Sequence, residues 1–265
     1  EIPKGTILKY RLNAKDKWTT EIPSAENAGE YTIYYKVEGG SNYNDSEEKS
    51  SKVKINQKEV TVSNIKANDK EYDGNKNASV TGSVTTGIDG ETLTISGLTG
   101  TFNSKDVKDA NKVIVDPSKV SVTGNDSTNV NNYTLVYPES VSGSITPKPV
   151  KLQWENTSLT YNGENQNPTA KATNLVSDDD CGITVTGANK DVGNNYIATV
   201  TKVSNPNYKL PENATTSYTI GKKQLSIEGL EAINRKYNGT SEVALQGGTL
   251  TGVIGTDKVS QKWVQ

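Results

Sequence analysis

Histidine is absent from the chain. Without an imidazole there is no Ser-His-Asp or Cys-His nucleophile pair, and the commonest ligand of catalytic zinc and non-haem iron is missing as well. The single cysteine, Cys181, excludes an intramolecular disulfide and any Cys-x-x-Cys site. Its acidic setting, SDDDCGITV, argues against a reactive thiolate. Methionine is absent too, even at the start, so the sequence reads as an interior stretch of something longer, with export signal and anchor outside it. Charge of one sign is also lacking: 29 basic and 31 acidic side chains interleave to a formal net charge of −2, which leaves no electrostatic footprint for nucleic acid or an anionic membrane. Long apolar runs are missing. The longest purely aliphatic one is VIV, Val113 to Val115, so no membrane insertion is expected of this segment.

With 32% hydrophobic residues and one phenylalanine, the chain is too poor in core-forming side chains for one large core, and several small cores are expected. The apolar residues that are present alternate with polar ones. VTVSNI (Val60, Val62), VKLQW (Val150, Leu152, Trp154), LSIEGL (Leu225, Ile227) and YTIYYKV (Tyr31, Ile33, Tyr35, Val37) all have the period of two that marks half-buried strands. Gly, Asn, Asp, Ser and Thr punctuate them at the spacing of an all-β sandwich. No stretch carries a capped helical period.

The strands belong to a repeat. Tyr31 and Tyr196, Tyr43 and Tyr208, Ile55 and Ile220, Lys58 and Lys223, and Tyr72 and Tyr237 all stand 165 residues apart. A second recurrence marks joints inside that period: an isoleucine, a lysine three residues later and a branched aliphatic five residues later. It occurs at INQKEV (Ile55), ITPKPV (Ile145) and IGKKQL (Ile220). The chain then divides into 1–57, the end of a module like 148–222; a complete module 58–147; a complete module 148–222; and 223–265, the start of a module like 58–147. Joints this short, one of them containing two prolines, predict stiff end-to-end stacking as a rod.

Two tyrosine motifs recur within the modules. Tyr72-Asp-Gly74, Tyr161-Asn-Gly163 and Tyr237-Asn-Gly239 place a strand-forming aromatic before a dipeptide suited to a tight turn with positive φ. NAGEYTI (Tyr31), NVNNYTL (Tyr133) and VGNNYIA (Tyr196) resemble the tyrosine corner of immunoglobulin-like sandwiches, in which the phenol reaches back to the backbone before a core strand. Ile33, Leu135 and Ala198 stand where antibody domains have cysteine, so aliphatic packing alone would hold such sandwiches.

On these strings the chain resembles two families. LTYNGENQNPTA, NLVSDDDCGITVTGA and DVGNNYIATVTKVSNPNYKL make the 148–222 kind similar to MBG domains, and ANDKEYDGNKNASVTG makes the 58–147 kind similar to YDG domains. The resemblance implies tandem immunoglobulin-like repeats in large secreted or surface-attached bacterial proteins, extracellular, of structural or adhesin type, with no catalytic residues and no cofactor.

Other readings are weaker. Asp178, Asp179 and Asp180 lack the spacing of a calcium loop and read as a solvated turn. Asp89, Glu91, Asp106 and Asp109 read as an acidic loop surface rather than a glycosidase pair. Tyr34, Tyr43 and Tyr208 read as solvent-face cross-strand residues, with stacking on a sugar ring or protein partner as the sharper option. The expectation is a non-enzymatic stalk or spacer whose partners are neighbouring repeat modules; the alternative is an adhesin module recognising a glycan or a host protein. The partial modules 1–57 and 223–265 are expected to need completion by something outside them.

Overall fold

The computed structural model describes residues 4–259. Among these residues the fold is all-β, interrupted only by one short 3-10 turn, Val130–Asn132. The described chain falls into two compact units. One comprises residues up to Lys70, Asn75–Lys105 and Asp109–Ile145; the other comprises Glu71–Gly74, Asp106–Lys108 and the chain from Thr146 onward.

The first unit contains a three-stranded antiparallel sheet of Ile7–Leu12, Gly29–Glu38 and Lys49–Ile55. Its side chains are at most half-buried, and Arg11 lies over the rings of Trp18 and Tyr34 while pairing with Glu48 at 2.7 Å. The same unit holds a five-stranded antiparallel sheet in the order Ser140–Ser142, Lys112–Asp116, Thr99–Phe102, Asn77–Ser83, Ser63–Ala67. Here the period of two is plain: in the VIV run Val113 and Val115 are buried and Ile114 is half-exposed. Gly100 has a steric reason to be glycine, because a Cβ there would fall 2.5 Å from Val113 Cγ1 and 2.8 Å from the Ile114 carbonyl. Two further pairs complete the unit. Leu93–Ser96 runs antiparallel to Ser121–Gly124, and Lys58–Thr61 runs parallel to Tyr133–Val136. Val60, Leu93 and Tyr133 form a buried cluster between these pairs, with Val84, Val122, Val130 and Leu135 packed around it.

In the second unit a four-stranded sheet runs Ser158–Thr160, Thr215–Gly221, Gly193–Val203, Ile183–Thr186, its first pairing parallel and the others antiparallel. Ala198, Tyr218 and Ile220 are fully buried on it, against Trp154, Leu159, Tyr161, Val185 and Tyr196. Tyr218 is pinned by its hydroxyl, which donates toward the carbonyls of Gly187 (2.8 Å) and Gln166 (3.0 Å) and accepts from Asn189 Nδ2 at 3.0 Å. Lys148–Pro149 pairs in parallel with Tyr208–Lys209, and Leu152–Glu155 pairs with Thr169–Ala172. The VKLQW run is therefore not one strand: Val150 and Lys151 lie between the two, and Val150 stays buried and donates to the Lys209 carbonyl at 3.0 Å before the chain changes partner. Among the described residues Ser226–Ala232 pairs only with Leu245–Thr251, and this hairpin leaves Ile227, Leu230, Leu245 and Leu250 substantially exposed.

The 165-residue offset holds on one side of a bulge and slips by one on the other. Gly29 and Tyr31 pair with Ile55 and Val53, whereas Gly193 and Tyr196 pair with Ile220 and Tyr218. The second strand thus carries one extra residue, and Asn195 takes φ 61° within that bulge. A larger departure occurs further upstream. Ile7–Leu12 lies against Gly29–Glu38 as Ile183–Thr186 lies against Gly193–Val203, so the register is taken by a segment 11 residues ahead of Trp18, the counterpart of Ile183 at constant offset.

Candidate functional site

The recurrent chemistry of this protein lies where one segment meets the next. At Lys58 the chain begins the strand that pairs in parallel with Tyr133–Val136, with Lys58 opposite Tyr133. At Lys148 it begins the strand that pairs in parallel with Tyr208–Lys209, with Lys148 opposite Tyr208. In each case an asparagine precedes the tyrosine. Asn132 Oδ1 accepts the backbone N–H of Ala28 at 2.8 Å, and its Nδ2 donates to Asn27 Oδ1 at 3.2 Å. Asn207 Oδ1 accepts the backbone N–H of Val107 at 2.9 Å, and its Nδ2 donates to Asp106 Oδ1 at 3.0 Å. Both ends of one carboxamide are used in the same way, on a backbone N–H and on the side chain just before it.

The tyrosine after each asparagine is buried, and its hydroxyl donates to the acid that ends a four-residue turn. Tyr133 donates to Glu91, in the turn closed by Glu91 N–H to the Ile88 carbonyl at 3.2 Å. Tyr208 donates to Asp179 at 2.7 Å, in the turn closed by Asp179 N–H to the Val176 carbonyl at 3.0 Å, and accepts from Val176 N–H. Burial pushes the Tyr208 hydroxyl up to about 12, with the adjoining Asp179 carboxylate acting in the same direction. Tyr133 is raised as well, by burial first and by Glu91 second. A third turn of this kind, Ile254 to Asp257, is closed at 3.0 Å, and its acid accepts from Tyr161 at 2.8 Å. That contact raises the Tyr161 hydroxyl, with Asp257 the leading cause.

Two of the three turns receive a Tyr-x-Gly motif. Tyr72 is buried with its ring edge-on to Tyr208, centroids 5.5 Å apart, and a Cβ on Gly74 would fall 2.6 Å from Val176 Cγ1. Tyr161 reaches Asp257, and a Cβ on Gly163 would fall 2.6 Å from Ile254 Cγ2. Gly74, Gly163 and Gly239 have φ of 79°, 84° and 74°. The third motif is bare among the described residues: Tyr237 is 94% exposed and none of them lies within 4 Å of a Cβ on Gly239.

The other sequence-derived residues separate into two groups. Tyr31 donates to the Asn27 carbonyl at 2.8 Å and Tyr196 to the Asp191 carbonyl at 3.1 Å; the bulge makes these the same acceptor position. Tyr133 departs from them, since its phenol goes to a side-chain carboxylate and its place in the ladder is that of Tyr208. Tyr208 is itself 3% exposed and offers no ring to a ligand, whereas Tyr43 is well exposed and Tyr34 is partly covered by Arg11. Asn27 thus serves twice, its carbonyl fixed by Tyr31 and its side chain gripped by Asn132.

Three of the acidic side chains, Glu91, Asp106 and Asp179, are engaged by the scaffold. Asp178 takes φ 68° in its turn, Asp179 holds Tyr208, and the Asp180 carbonyl accepts from Asn205 at 3.0 Å. Glu91 holds Tyr133, Asp106 holds Asn207, and the Asp109 carbonyl accepts from Asn103 at 2.9 Å. Among the described residues no group of three or more acidic, cysteine or histidine side chains is placed to hold a metal, and no helix is long and apolar enough to cross a membrane. Cys181 is buried.

Residues 56–141 match the YDG domain family. That span includes the Tyr72–Gly74 motif, the Ile88–Glu91 turn and the Asn132-Tyr133 pair. No curated protein matches the chain.

Proposed function

We propose that the chain is a run of small immunoglobulin-like β-sandwich modules, alternately of YDG and MBG type, that serves as a non-enzymatic stalk or spacer in a bacterial surface or secreted adhesin-type protein. The observation that carries this reading is the repeated grip of Asn132 on Asn27 and Ala28 and of Asn207 on Asp106 and Val107. A contact reproduced at two places in one chain supports a repeated link between neighbouring segments, which is what a spacer requires. The absence of histidine and the engagement of Glu91, Asp106 and Asp179 in structural hydrogen bonds support a role without catalysis. The extracellular placement rests on the family resemblance.

Small-angle scattering on the soluble chain tests the spacer. A compact globule of this length would have a radius of gyration of roughly 18 Å. A stack of modules approaching about 100 Å, as strands of this length imply, would give about 30 Å. A value at the lower figure would overturn the stalk.

A further inference from the structure

The sequence holds two Asn-Gly dipeptides, Asn162-Gly163 and Asn238-Gly239, and both lie in Tyr-x-Gly motifs; the third motif has Asp73-Gly74 in their place. In an Asn-Gly pair the side-chain carboxamide is open to attack by the next backbone nitrogen, because glycine brings no Cβ to crowd the approach. Asn162 is exposed to water, yet its carboxamide is tethered: Oδ1 accepts the Glu164 N–H at 2.9 Å, and Gly163 is held at φ 84°.

The dipeptide is pinned on both sides. Before it, Tyr161 packs on the buried cluster of Ala198, Tyr218 and Ile220 and donates to Asp257 at 2.8 Å. After it, Gly163 lies so close to Ile254 that a Cβ would fall 2.6 Å from Ile254 Cγ2. The Tyr72 motif makes the same approach to Val176, also 2.6 Å from a Cβ on Gly74, with Asp73 standing where Asn162 stands. An aspartate therefore suits the docked turn. An isoaspartate does not, since it routes the main chain through its side chain, adds one carbon to the backbone and shifts Gly163 off Ile254.

We propose that Asn162-Gly163 is a site of spontaneous deamidation governed by the docking of its turn, and that the isoaspartate it yields prevents the turn from docking again. The Gly163 nitrogen bonds to Asn162 Cγ, the bond from Cγ to Nδ2 breaks, and ammonia leaves with the proton given up by Gly163. Water then opens the five-membered imide at either carbonyl, giving aspartate or isoaspartate. Ring closure requires the carboxamide to leave the Glu164 N–H and the backbone at Asn162 to turn, which Tyr161 on Asp257 and Gly163 on Ile254 oppose. The reaction thus runs through the locally opened turn, and its rate follows how often that turn opens. The site stands on this turn alone, whether or not the protein is a stalk.

Peptide mass spectrometry with isoaspartyl methyltransferase labelling, on the complete chain held at neutral pH, tests it. An Asn238→Ser background silences the other dipeptide. Isoaspartate should accumulate at residue 162. Tyr161→Phe, which loses only the hydroxyl that reaches Asp257, should speed its formation by about tenfold, the shift that one charge-assisted hydrogen bond makes in an opening equilibrium. Tyr208→Phe, which loses the equivalent bond to Asp179, should leave the rate at Asn162 unchanged. Asn162→Asp should melt as the fresh protein does, and the aged, isoaspartate-rich protein should melt lower. No product at residue 162 in any variant overturns the site. Equal rates with and without the Tyr161 hydroxyl, or equal acceleration by Tyr208→Phe, overturn the control by docking, and an aged protein that melts like the fresh one overturns the loss of docking.

Discussion

Asn132 and Asn207 make the same pair of hydrogen bonds at two places in the chain, each holding a backbone N–H about a hundred residues upstream and the side chain one residue earlier. Asn207 is buried, so its replacement removes the acceptor of the part-buried Val107 N–H. Asn207→Ala should destabilise the chain by about 1–3 kcal/mol, the cost of leaving such a group without a partner. Asn207→Asp keeps an acceptor for Val107 N–H but sets a carboxylate against Asp106. It should therefore be rescued by Asp106→Asn, and chemical denaturation of the single and double variants measures that coupling.

Tyr208 sets a pH limit to stability on the alkaline side. Its hydroxyl ordinarily ionises near 10.0 and in the folded protein at about 12. A raised folded value means that the contribution is complete below the unfolded value and is lost as pH rises through the folded one. Stability should hold up to about pH 10 and fall between 10 and 12. Tyr208→Phe should flatten that part of the profile, and melts across this range, with ultraviolet titration of tyrosinate alongside, would show it. An unchanged slope would mean that another tyrosine governs it.

Gly163 and Gly239 offer a matched comparison. Both sit at positive φ, so alanine at either carries the backbone strain of the left-handed region, about 1 kcal/mol. Only at Gly163 does the new Cβ also meet a neighbour, 2.6 Å from Ile254 Cγ2. Gly163→Ala should cost more than Gly239→Ala, and Ile254→Ala should recover the difference. Equal melting shifts would show that the Tyr161 turn does not bear on Ile254.

Within the five-stranded sheet, Gly100→Ala is expected to be worse than alanine at most exposed strand positions. The added methyl overlaps Val113 Cγ1 and the Ile114 carbonyl at once, and overpacking of this kind costs about 1–3 kcal/mol. Val113→Ala should relieve part of it, read as a double-variant cycle in urea.

The all-β class was legible because alternation is local: Val113, Ile114 and Val115 report their own faces whatever lies around them. Which strand pairs with which is not local. NVNNYTL and VGNNYIA share Asn-Asn-Tyr, and on that string Tyr133 and Tyr196 read as one corner. The parallel pairing of Lys58 with Tyr133 and of Lys148 with Tyr208 regroups them. The asparagine grip had a faint signal, an Asn-Tyr pair in NNYTL and in NPNYKL. Nothing in either string says that the carboxamide reaches Ala28 or Val107, about a hundred residues upstream. Tyr218 carried no signal at all, since the residue 165 positions before it is Val53, exposed on its own strand.

The parallel pairing of Lys58–Thr61 with Tyr133–Val136 determines how this part of the chain bears tension. A pull that draws the earlier strand backward and the later strand forward makes the two slide along each other. Their hydrogen bonds then share the load together, where an antiparallel hairpin pulled from its open end would peel one rung at a time. Ser158–Thr160 beside Thr215–Gly221 repeats the arrangement. Each of these short ladders, three or four residue pairs long, is a shear clasp under such a pull.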